Sequence, residues 1–443
     1  MMVYKTPYNY RFFYLIIFLI ILFFTFAIKL NVFFTIVIFL IFIYFVVCSI
    51  LISHKYSDFA EPEPFPKKVP TVTVVTYAFN NFKPILETID HIKKLEYPIP
   101  FDICVITDGT CDFLNKVKGV KQIKLPKEYF DKTKYLNVKA KIMNEGLKQI
   151  HTDNVLSIDG DTIPSPDVLM KLTGTLKDNV GIVVAGLDVN NSNNFIEKVQ
   201  QIEYKFSFSL PRVVLSSLNS LDLGSGGCNL MSKKLFDEVG GYDEENITED
   251  KEIAYKLISA GYLVKFVPSA KASTIVPSTF KSFFKQRLRW MRGGFDVSIK
   301  YLSLLFDKSK KTFGLFVLPY SFGTLILTIS LVFKVIYNVL KYVFVSLYYF
   351  LVNLFTYGYS FSSIDFSRVI PKHFFIDSFF LLLLISVIFS LYYILLSFGH
   401  NDFKLTKGYL IPFIYFIFIH GFVIIIIGIV SIIYSLFGVK YSW

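Results

Sequence analysis

The sequence is poor in charged residues, in cysteine and, towards both ends, in acidic side chains. Only 18% of its 443 residues are charged and 53% are hydrophobic, whereas an ordinary soluble domain is about one quarter charged. This shortage excludes an ordinary soluble protein, and the composition also excludes a disordered or collagen-like chain. The four cysteines are too few for a disulfide-stapled scaffold and have no metal-ligand spacing, so we interpret them as buried thiols.

The charged residues that are present are concentrated in the middle of the chain. Residues 54–311 hold 36 of the 46 Lys and Arg and 31 of the 34 Asp and Glu. The middle therefore contributes only +5 to the net charge of +12, which argues against nucleic acid as a partner. The rest of the positive charge lies in the apolar ends, where basic residues favour the cytoplasmic side of a membrane.

Long apolar runs flank this middle. About 20 apolar residues cross a bilayer as a helix, and six runs approach that length: Phe12–Ile28, Val32–Ile52, Phe313–Phe333, Val343–Tyr357, Ser378–Phe398 and Tyr409–Phe437. The first run could instead be a signal peptide, although it lacks a small-x-small cleavage site. The short fourth run could lie partly in the membrane interface.

Basic residues near the first spans predict the orientation. Lys5 and Arg11 precede the first span and a Lys-rich segment follows the second, whereas the turn between them offers only Lys29. We therefore predict a multi-pass plasma-membrane protein whose middle domain and termini are cytoplasmic. Its predicted parts are a transmembrane hairpin at 1–53, a cytoplasmic domain at 54–275, an amphipathic interface region at 276–312 and about four transmembrane helices at 313–443.

The middle alternates between strand-like and helix-like patterns. Predicted strands are Val72–Tyr77, Asp102–Thr107, Val155–Ile158 and Gly181–Ala185, and predicted helices are Lys83–Leu95, Asn137–Ile150, Asp167–Leu176 and Lys251–Ala260. Such alternation predicts an α/β domain with a mostly parallel sheet, whose ligands bind beyond the carboxyl ends of the strands.

Two acidic motifs lie at the boundaries of predicted strands and helices. Asp159-Gly160-Asp161 comes directly after a buried strand, where two carboxylates can hold a hard divalent cation such as Mg²⁺ or Mn²⁺; an ordinary acidic turn is the alternative. Thr248-Glu249-Asp250 opens a helix. Its acids could provide a general base, or they could only stabilise the helix N-terminus.

A third motif, Gln286-Arg287-Leu288-Arg289-Trp290, lies on the amphipathic segment Thr279–Val297. This segment could lie on anionic lipid, but its Arg and Trp also suit a phosphate and a sugar ring. The glycine-dense turn Gly224–Gly227 could be only a tight turn, or it could let a ligand approach the backbone closely.

Seven motifs occur in a fixed order: Val72–Asn81, Thr107-Asp108-Gly109, Lys139-Ala140 with Asn144, Asp159-x-Asp161, Gly224–Gly227, Thr248-Glu249-Asp250 and Gln286-x-x-Arg289-Trp290. In this order they resemble the membrane-embedded family 2 glycosyltransferases of the processive kind. That group includes bacterial cellulose, hyaluronan, chitin-oligosaccharide and poly-N-acetylglucosamine synthases. The motifs cover residues 69–297, and the arrangement of spans extends the resemblance to the whole chain.

The resemblance implies a GT-A-type domain and an inverting hexosyltransferase. Its donor would be a nucleoside diphosphate sugar, UDP-GlcNAc or UDP-Glc, and its acceptor a growing β-linked polysaccharide that is exported across the membrane. The implied roles are Asp250 as base with Glu249 beside it; Asp108, Lys139, Asp159 and Arg289 at the nucleotide sugar; Asp159 and Asp161 at Mg²⁺ or Mn²⁺; and Gly226, Gly227, Gln286 and Trp290 at the acceptor.

The chain departs from the family pattern at three positions. Tyr77 stands where Pro is usual, Asn81 where an acid is usual, and Thr107 where Asp-Asp-Gly has its first acid. Two alternatives stay open. The same fold could act once on a polyprenyl-phosphate or glycolipid acceptor, or the chain could be a transporter or receptor with a nucleotide-sensing domain, although transporters usually place charges within their spans.

Overall fold

The computed structural model describes residues 61–80, 82–131, 133–357, 378–401 and 403–437. The predicted hairpin of Phe12–Ile28 and Val32–Ile52 lies outside the described residues. The chain divides into two compact units. The described part of the first comprises residues 61–319 and 396–437, and that of the second comprises residues 320–357 and 378–395.

One sheet forms the centre of the first unit. Its strands within the described residues are β1 Val72–Ala78, β2 Asp102–Thr107, β3 Lys121–Lys124, β4 Asn154–Ile158, β5 Thr162–Pro164, β6 Val180–Val189, β7 Cys228–Ser232 and β8 Leu263–Thr274. Their spatial order is β3-β2-β1-β4-β7-β6-β8-β5. All four predicted strands are confirmed. Their β-branched runs suit strands that are buried on both faces of a sheet.

The sheet combines parallel and antiparallel pairs. β3, β2, β1 and β4 are parallel neighbours, with Val75 of β1 opposite Cys104 and Ser157. β7 runs antiparallel between β4 and β6. Its first residue, Cys228, therefore pairs with the last residue of β4, Ile158. This reversal places the turn Gly224–Gly227 beside the acidic turn that follows β4.

Helices pack around the sheet, and some of the sequence motifs lie where a helix begins. The first unit contains α1 Ile85–Ile92, α2 Val138–Leu147, α3 Val168–Thr175, α4 Phe195–Ser207, α5 Leu210–Ser217, α6 Lys233–Glu238, α7 Glu249–Ala260 and α8 Phe280–Lys300. Asn137 and Thr279 cap α2 and α8 by accepting hydrogen bonds from the backbone N–H groups of Ala140 and Ser282. Thr248 occupies the N-cap position of α7 without such a bond, because its hydroxyl instead donates to Asn246.

The last described segment of the first unit is an apolar helix. It comprises α11 Leu410–Tyr415, a π-helical turn at Phe416–His420 and α12 Gly421–Leu436. Within the part of the chain that the structure describes, Lys407–Ser435, which we call the C-terminal helix, is the one helix long and apolar enough to cross a membrane, with a mean hydropathy of 2.9.

The second unit is helical where it is described. α9, Leu318–Tyr357, is one helix of 40 residues, and α10 is Ser378–Gly399, whose last turn belongs to the first unit. The runs Phe313–Phe333 and Val343–Tyr357, predicted as separate spans, are thus largely joined in α9. The sequence between them has neither Gly nor Pro to end a helix. The number of spans stays a prediction.

Candidate active site

The acidic turn after β4 lies against β1 and the glycine turn. The backbone N–H of Asp159 donates to the Gly227 carbonyl (3.0 Å), and the N–H of Thr162 closes the turn onto the Asp159 carbonyl (3.0 Å). A Cβ at Gly160 would lie 2.9 Å from the Tyr77 carbonyl oxygen. The middle position therefore requires glycine, and the backbone that carries the two carboxylates is anchored to the sheet edge.

Lys139 of α2 connects the two acidic motifs. Its Nζ lies 2.6 Å from Asp159 Oδ1 and 3.2 Å from Glu249 Oε1, and it donates to the Gly226 carbonyl at 3.4 Å. Burial lowers the pKa of Lys139, but the charges of Asp159 and Glu249 outweigh it, so this pKa is raised well above its usual value. Lys139 is therefore a permanent cation at the centre of the site.

Tyr77, at the end of β1, also contacts the acidic turn. Its hydroxyl donates to Asp159 Oδ1 at 3.1 Å, and Lys139 Nζ lies 5.4 Å from its ring centroid. Burial and the charge of Asp159 raise the pKa of Tyr77, so the phenol keeps its proton. In the sequence, Tyr77 stands out only as a departure from the family pattern. One feature of the sequence could have indicated this contact. Tyr77 lies near the end of β1, and β1 is the neighbour of β4, the strand that Asp159 follows.

The glycine turn holds Asp250 in place. The N–H of Gly226 donates to Asp250 Oδ2 (3.0 Å), and the N–H of Lys251 donates to Oδ1 (2.9 Å). The N–H of Gly224 donates to the Asp250 carbonyl (3.2 Å). A Cβ at Gly224 would lie 2.4 Å from that carbonyl oxygen, so the backbone approach is possible only for glycine. This supports the close-approach interpretation of the turn.

Gly226 itself lies between the acidic motifs. A Cβ there would lie 3.1 Å from Lys139 Nζ and 3.6 Å from a carboxylate oxygen of each of Asp159 and Asp250. Gly227 faces away from these groups, because its Cβ would meet the Leu187 side chain at 2.8 Å. Of the two glycines predicted to bind the acceptor, Gly226 therefore borders the charged groups and Gly227 packs against the core.

The two carboxyl groups at the start of α7 differ in proton affinity. Burial raises the pKa of Glu249, but Lys139 and Arg289 more than offset it, and the pKa ends below its usual value. Asn137 Nδ2 also donates to Glu249 Oε2 at 2.8 Å. Burial and the charge of Glu249 instead raise the pKa of Asp250. Asp250 is thus the stronger base, and Glu249 is the counter-ion of Lys139.

The site carries more negative than positive charge. We define the site cluster as these described residues: Asp159, Asp161, Glu249, Asp250, Lys139 and Arg289. Its four carboxylates face two cations, and burial and the neighbouring Asp159 raise the pKa of Asp161 to about 6. A divalent cation at the acidic turn would remove this imbalance, and carboxylate oxygens are its preferred ligands. No group of three or more His, Cys, Asp or Glu with metal-site geometry occurs among the described residues.

Asp108 lies at the same edge of the sheet, after β2. Its Oδ1 accepts from the N–H (3.0 Å) and hydroxyl (2.6 Å) of Thr110, and its Oδ2 accepts from the N–H of Asn80 at 3.4 Å. Gly109 provides the positive φ of 79° that the turn needs. The carboxylate thus orders two neighbouring loops. Phe79 precedes Asn80 in the chain, and its ring centroid lies 5.5 Å from that of Phe130.

The motif on α8 divides between two environments. Arg289 lies close enough to the start of α7 for its charge to help lower the pKa of Glu249 and to limit the rise in the pKa of Asp250. Trp290 packs against the main hydrophobic core, and the Arg287 guanidinium lies 4.1 Å from the centroid of its ring. Gln286 Oε1 accepts a hydrogen bond from Arg287 at 2.7 Å. The two predicted acceptor residues on this helix therefore share Arg287 as a neighbour.

Sequence comparison decides the family. The sequence profile described as glycosyl transferase family group 2 matches residues 154–429, more than half of the chain. The chain belongs to this family.

Its curated relatives include two poly-β-1,6-N-acetyl-D-glucosamine synthases. The one from Staphylococcus epidermidis is 27% identical over 262 residues, which cover 56% of this chain and 63% of the relative. The one from Staphylococcus aureus (strain COL) is 27% identical over 269 residues, which cover 60% and 64%. The match thus spans less than two thirds of these relatives' length.

Among solved structures, the mannosyltransferase PcManGT from Pyrobaculum calidifontis, in complex with GDP-Man and Mn²⁺, is 17% identical. The alignment covers 68% of this chain and 85% of that one, with a TM-score of 0.49.

As a family 2 glycosyltransferase, the chain is an enzyme. The resemblance drawn from the ordered motifs is thereby confirmed, and the fold is an α/β fold of the GT-A type. The structure brings Asp159, Lys139, Glu249 and Asp250 together around Gly226. Tyr77 and Arg287 contact predicted site residues and were missed. Tyr77 lies 82 residues from Asp159 in the chain, so no local pattern relates the two. The contacts of Arg287 with Gln286 and Trp290 depend on the orientation of its side chain, which the sequence pattern does not give.

Proposed function

We propose that the enzyme transfers N-acetylglucosamine from UDP-GlcNAc to a growing β-linked polysaccharide, with inversion at the anomeric carbon. The names of the curated relatives favour this sugar over glucose. The observation that carries the proposal is the placement of Asp250, whose carboxylate faces the acidic turn across Gly226. A single displacement requires a general base on one side of the anomeric carbon and the leaving diphosphate on the other.

Asp250 acts as the general base. Its raised pKa increases its affinity for the acceptor hydroxyl proton, and the N–H groups of Gly226 and Lys251 fix its orientation. Glu249 stays ionised and holds Lys139 in position. Because the donor carries an α-linked sugar, attack from the face opposite the diphosphate gives a β-linkage.

The leaving diphosphate lies at the acidic turn. Asp159 and Asp161 would hold a divalent cation, Mg²⁺ or Mn²⁺, which when bound neutralises the charge that develops on the leaving group. Lys139 and Arg289 supply fixed positive charge at the same place. Asp108, together with the neighbouring Phe79 ring, orients the base of the nucleotide.

The acceptor approaches from the side of α8. Trp290 offers an aromatic face to a sugar ring, Gln286 offers an amide, and Gly226 leaves room above the carboxylates. The C-terminal helix packs against α8 through Phe283, Leu288 and Ile427. Because that helix is apolar enough to enter a bilayer, the proposal places the acceptor site next to the plasma membrane, with the catalytic domain and both termini cytoplasmic and the polymer exported.

A donor panel tests this function. Membranes or purified enzyme are given radiolabelled UDP-GlcNAc, UDP-Glc or GDP-mannose with Mn²⁺ or Mg²⁺, and both nucleotide release and product size are measured. The proposal predicts metal-dependent UDP release and a gel-retained polymer with UDP-GlcNAc only. A single lipid-soluble product would favour one transfer to a polyprenyl-phosphate or glycolipid. A product made only from another donor would reject the assigned sugar.

A further inference from the structure

A second ion pair, between buried Arg287 and partly buried Glu203, lies next to the predicted acceptor residues. Arg287 of α8 is 3% exposed, and its Nη2 lies 2.7 Å from Oε2 of Glu203 on α4. The same Glu203 oxygen lies 3.5 Å from Nε2 of His420, which is 5% exposed on the C-terminal helix. We call Glu203, Arg287 and His420 the Arg287 cluster. It joins α4, α8 and the C-terminal helix.

Arg287 has a second set of contacts on its own helix. Its guanidinium carbon lies 4.1 Å from the Trp290 ring centroid and 4.9 Å from that of Phe283, and its Nη1 donates to Gln286 Oε1 at 2.7 Å. A guanidinium is planar, so one group can stack on an indole while its edge binds a carboxylate. Arg287 therefore touches both acceptor residues of the motif, although it is not one of them.

Because Arg287 is buried, the position of its guanidinium depends on the negative charge of Glu203. Burial raises the pKa of Glu203, but Arg287 and His420 lower it to about 2, so Glu203 is a permanent counter-ion. A buried guanidinium without its carboxylate is strongly destabilised where it lies and moves towards solvent. Loss of Glu203 would then remove the cation from the face of Trp290.

The geometry points to Glu203 and Arg287 as positioning residues for the acceptor: Glu203 anchors the guanidinium, and the stacked guanidinium fixes the indole of Trp290 and the amide of Gln286. This inference rests on the proposed function, which assigns those two groups to the acceptor. It predicts that both residues control the acceptor KM and leave the donor untouched.

The fluorescence of Trp290 tests the inference without turnover. Trp290 and Trp443 are the two tryptophans of the chain, so in a Trp443→Phe background all tryptophan emission comes from Trp290. Removing the stacked guanidinium exposes one ring face, and the acrylamide quenching constant should rise about twofold in Glu203→Gln and Arg287→Gln. Glu203→Asp keeps the charge and should restore most of the shielding.

Kinetics with a β-1,6-linked N-acetylglucosamine oligosaccharide provide the second measurement. The acceptor KM should rise about fivefold in Glu203→Gln and about tenfold in Arg287→Gln, whereas the donor KM and kcat stay within about twofold. If Glu203 acts through Arg287, the double variant should be no worse than Arg287→Gln. The double variant also leaves no unpaired buried charge, so it provides the folded comparison if Glu203→Gln is too unstable to purify.

The matched control is Asp188→Asn, which breaks the ion pair of Asp188 with Lys205 on the same helix, α4. It should change neither quenching nor the acceptor KM. Unchanged quenching in the folded Arg287→Gln variant would overturn the inference, and so would equal shifts of donor and acceptor KM. If the wild-type enzyme transferred no sugar at all, the proposed function would fail, whereas the quenching comparison would still decide the position of the indole.

Discussion

The site cluster and the Arg287 cluster are both buried groups of charges on neighbouring helices, but their charge balance differs. In the site cluster, four carboxylates share two cations, and the pKa values of Asp161 and Asp250 are raised while that of Glu249 is lowered. In the Arg287 cluster, one guanidinium and one imidazole surround a single carboxylate, and the pKa of Glu203 falls to about 2.

This difference separates reactive groups from supporting ones. Carboxyl groups whose pKa values are pushed apart can bind a proton and a cation in turn, which is what transfer of a sugar requires. A compensated pair exchanges no proton near neutral pH and instead fixes geometry. Each prediction below changes the carboxylates of the site cluster, the contacts that hold them in place, or the ion pair of the Arg287 cluster.

The largest effect is expected from removing the base of the site cluster. Asp250→Asn keeps the shape of the side chain but cannot accept the proton, so kcat should fall about 10³-fold or more while UDP-GlcNAc binding stays nearly intact. Binding is measured by calorimetry and transfer by radiolabel. Asp90→Asn, an exposed carboxylate on α1, is the control. Sizeable transfer by Asp250→Asn would show that another group is the base.

The next largest effect tests how the base is held. In Gly224→Ala, the new methyl group would lie 2.4 Å from the Asp250 carbonyl oxygen. The start of α7 must then move, and a displacement of this size costs about 10²-fold in kcat. Gly421→Ala places a methyl group where nothing lies within 4 Å and should keep full activity. Equal activity of the two variants would mean that the turn does not position Asp250.

Asp161→Asn tests the excess negative charge directly. With one carboxylate fewer, the acidic turn should bind Mn²⁺ at least about tenfold more weakly. The change is measured by electron paramagnetic resonance of free Mn²⁺ in the presence of UDP. Asp167→Asn, whose carboxylate pairs with Lys171, is the control. Unchanged Mn²⁺ affinity in Asp161→Asn would remove this residue from the metal site.

Tyr77→Phe should have a smaller effect on the site cluster. It removes one hydrogen bond to Asp159, while the bond from Lys139 stays, so kcat should fall about three- to tenfold. Tyr97→Phe is the matched control, because the Tyr97 hydroxyl donates to the Pro70 carbonyl instead. An effect no greater than that of Tyr97→Phe would assign Tyr77 to packing alone.

The smallest effect concerns acid stability and the Arg287 cluster. Glu203 has a lowered pKa, so its contribution is fully present above the unfolded value of 4.5 and is lost as pH falls towards about 2. The difference in Tm between wild type and Glu203→Gln should therefore be constant above pH 5 and shrink from pH 4.5 to 3. A constant difference over that range would mean that Glu203 carries no charge-dependent stability.

The local parts of the site could be predicted from the sequence. Asp159, Asp161 and Asp250 each follow a strand or open a helix, so their places at the sheet edge follow from local patterns. The strands β1, β2, β4 and β6 were predicted from β-branched runs. β7 was missed because its residues Cys228–Ser232 include no Val, Ile or Thr, and its position is set by β4 and β6 on either side.

The pairings across the site could not be predicted. Lys139 was assigned to the nucleotide, and its contacts with Asp159 and Glu249 depend on how α2 packs against two other elements. Glu203 and Arg287 lie 84 residues apart in the chain, so no local pattern relates them.

Two apolar runs that were predicted as separate helices lie largely within the single helix α9. Hydropathy alone marks apolar stretches and not the residues that end a helix.

The anomeric configuration of the new linkage tests the central claim most directly. A base at Asp250, opposite a diphosphate at the acidic turn, requires a single displacement and therefore inversion. The first sugar transferred from α-linked UDP-GlcNAc is examined by proton NMR of the short products, before any secondary reaction. A β-linkage is the predicted result. An α-linkage would contradict the account, because retention needs a different arrangement of catalytic groups.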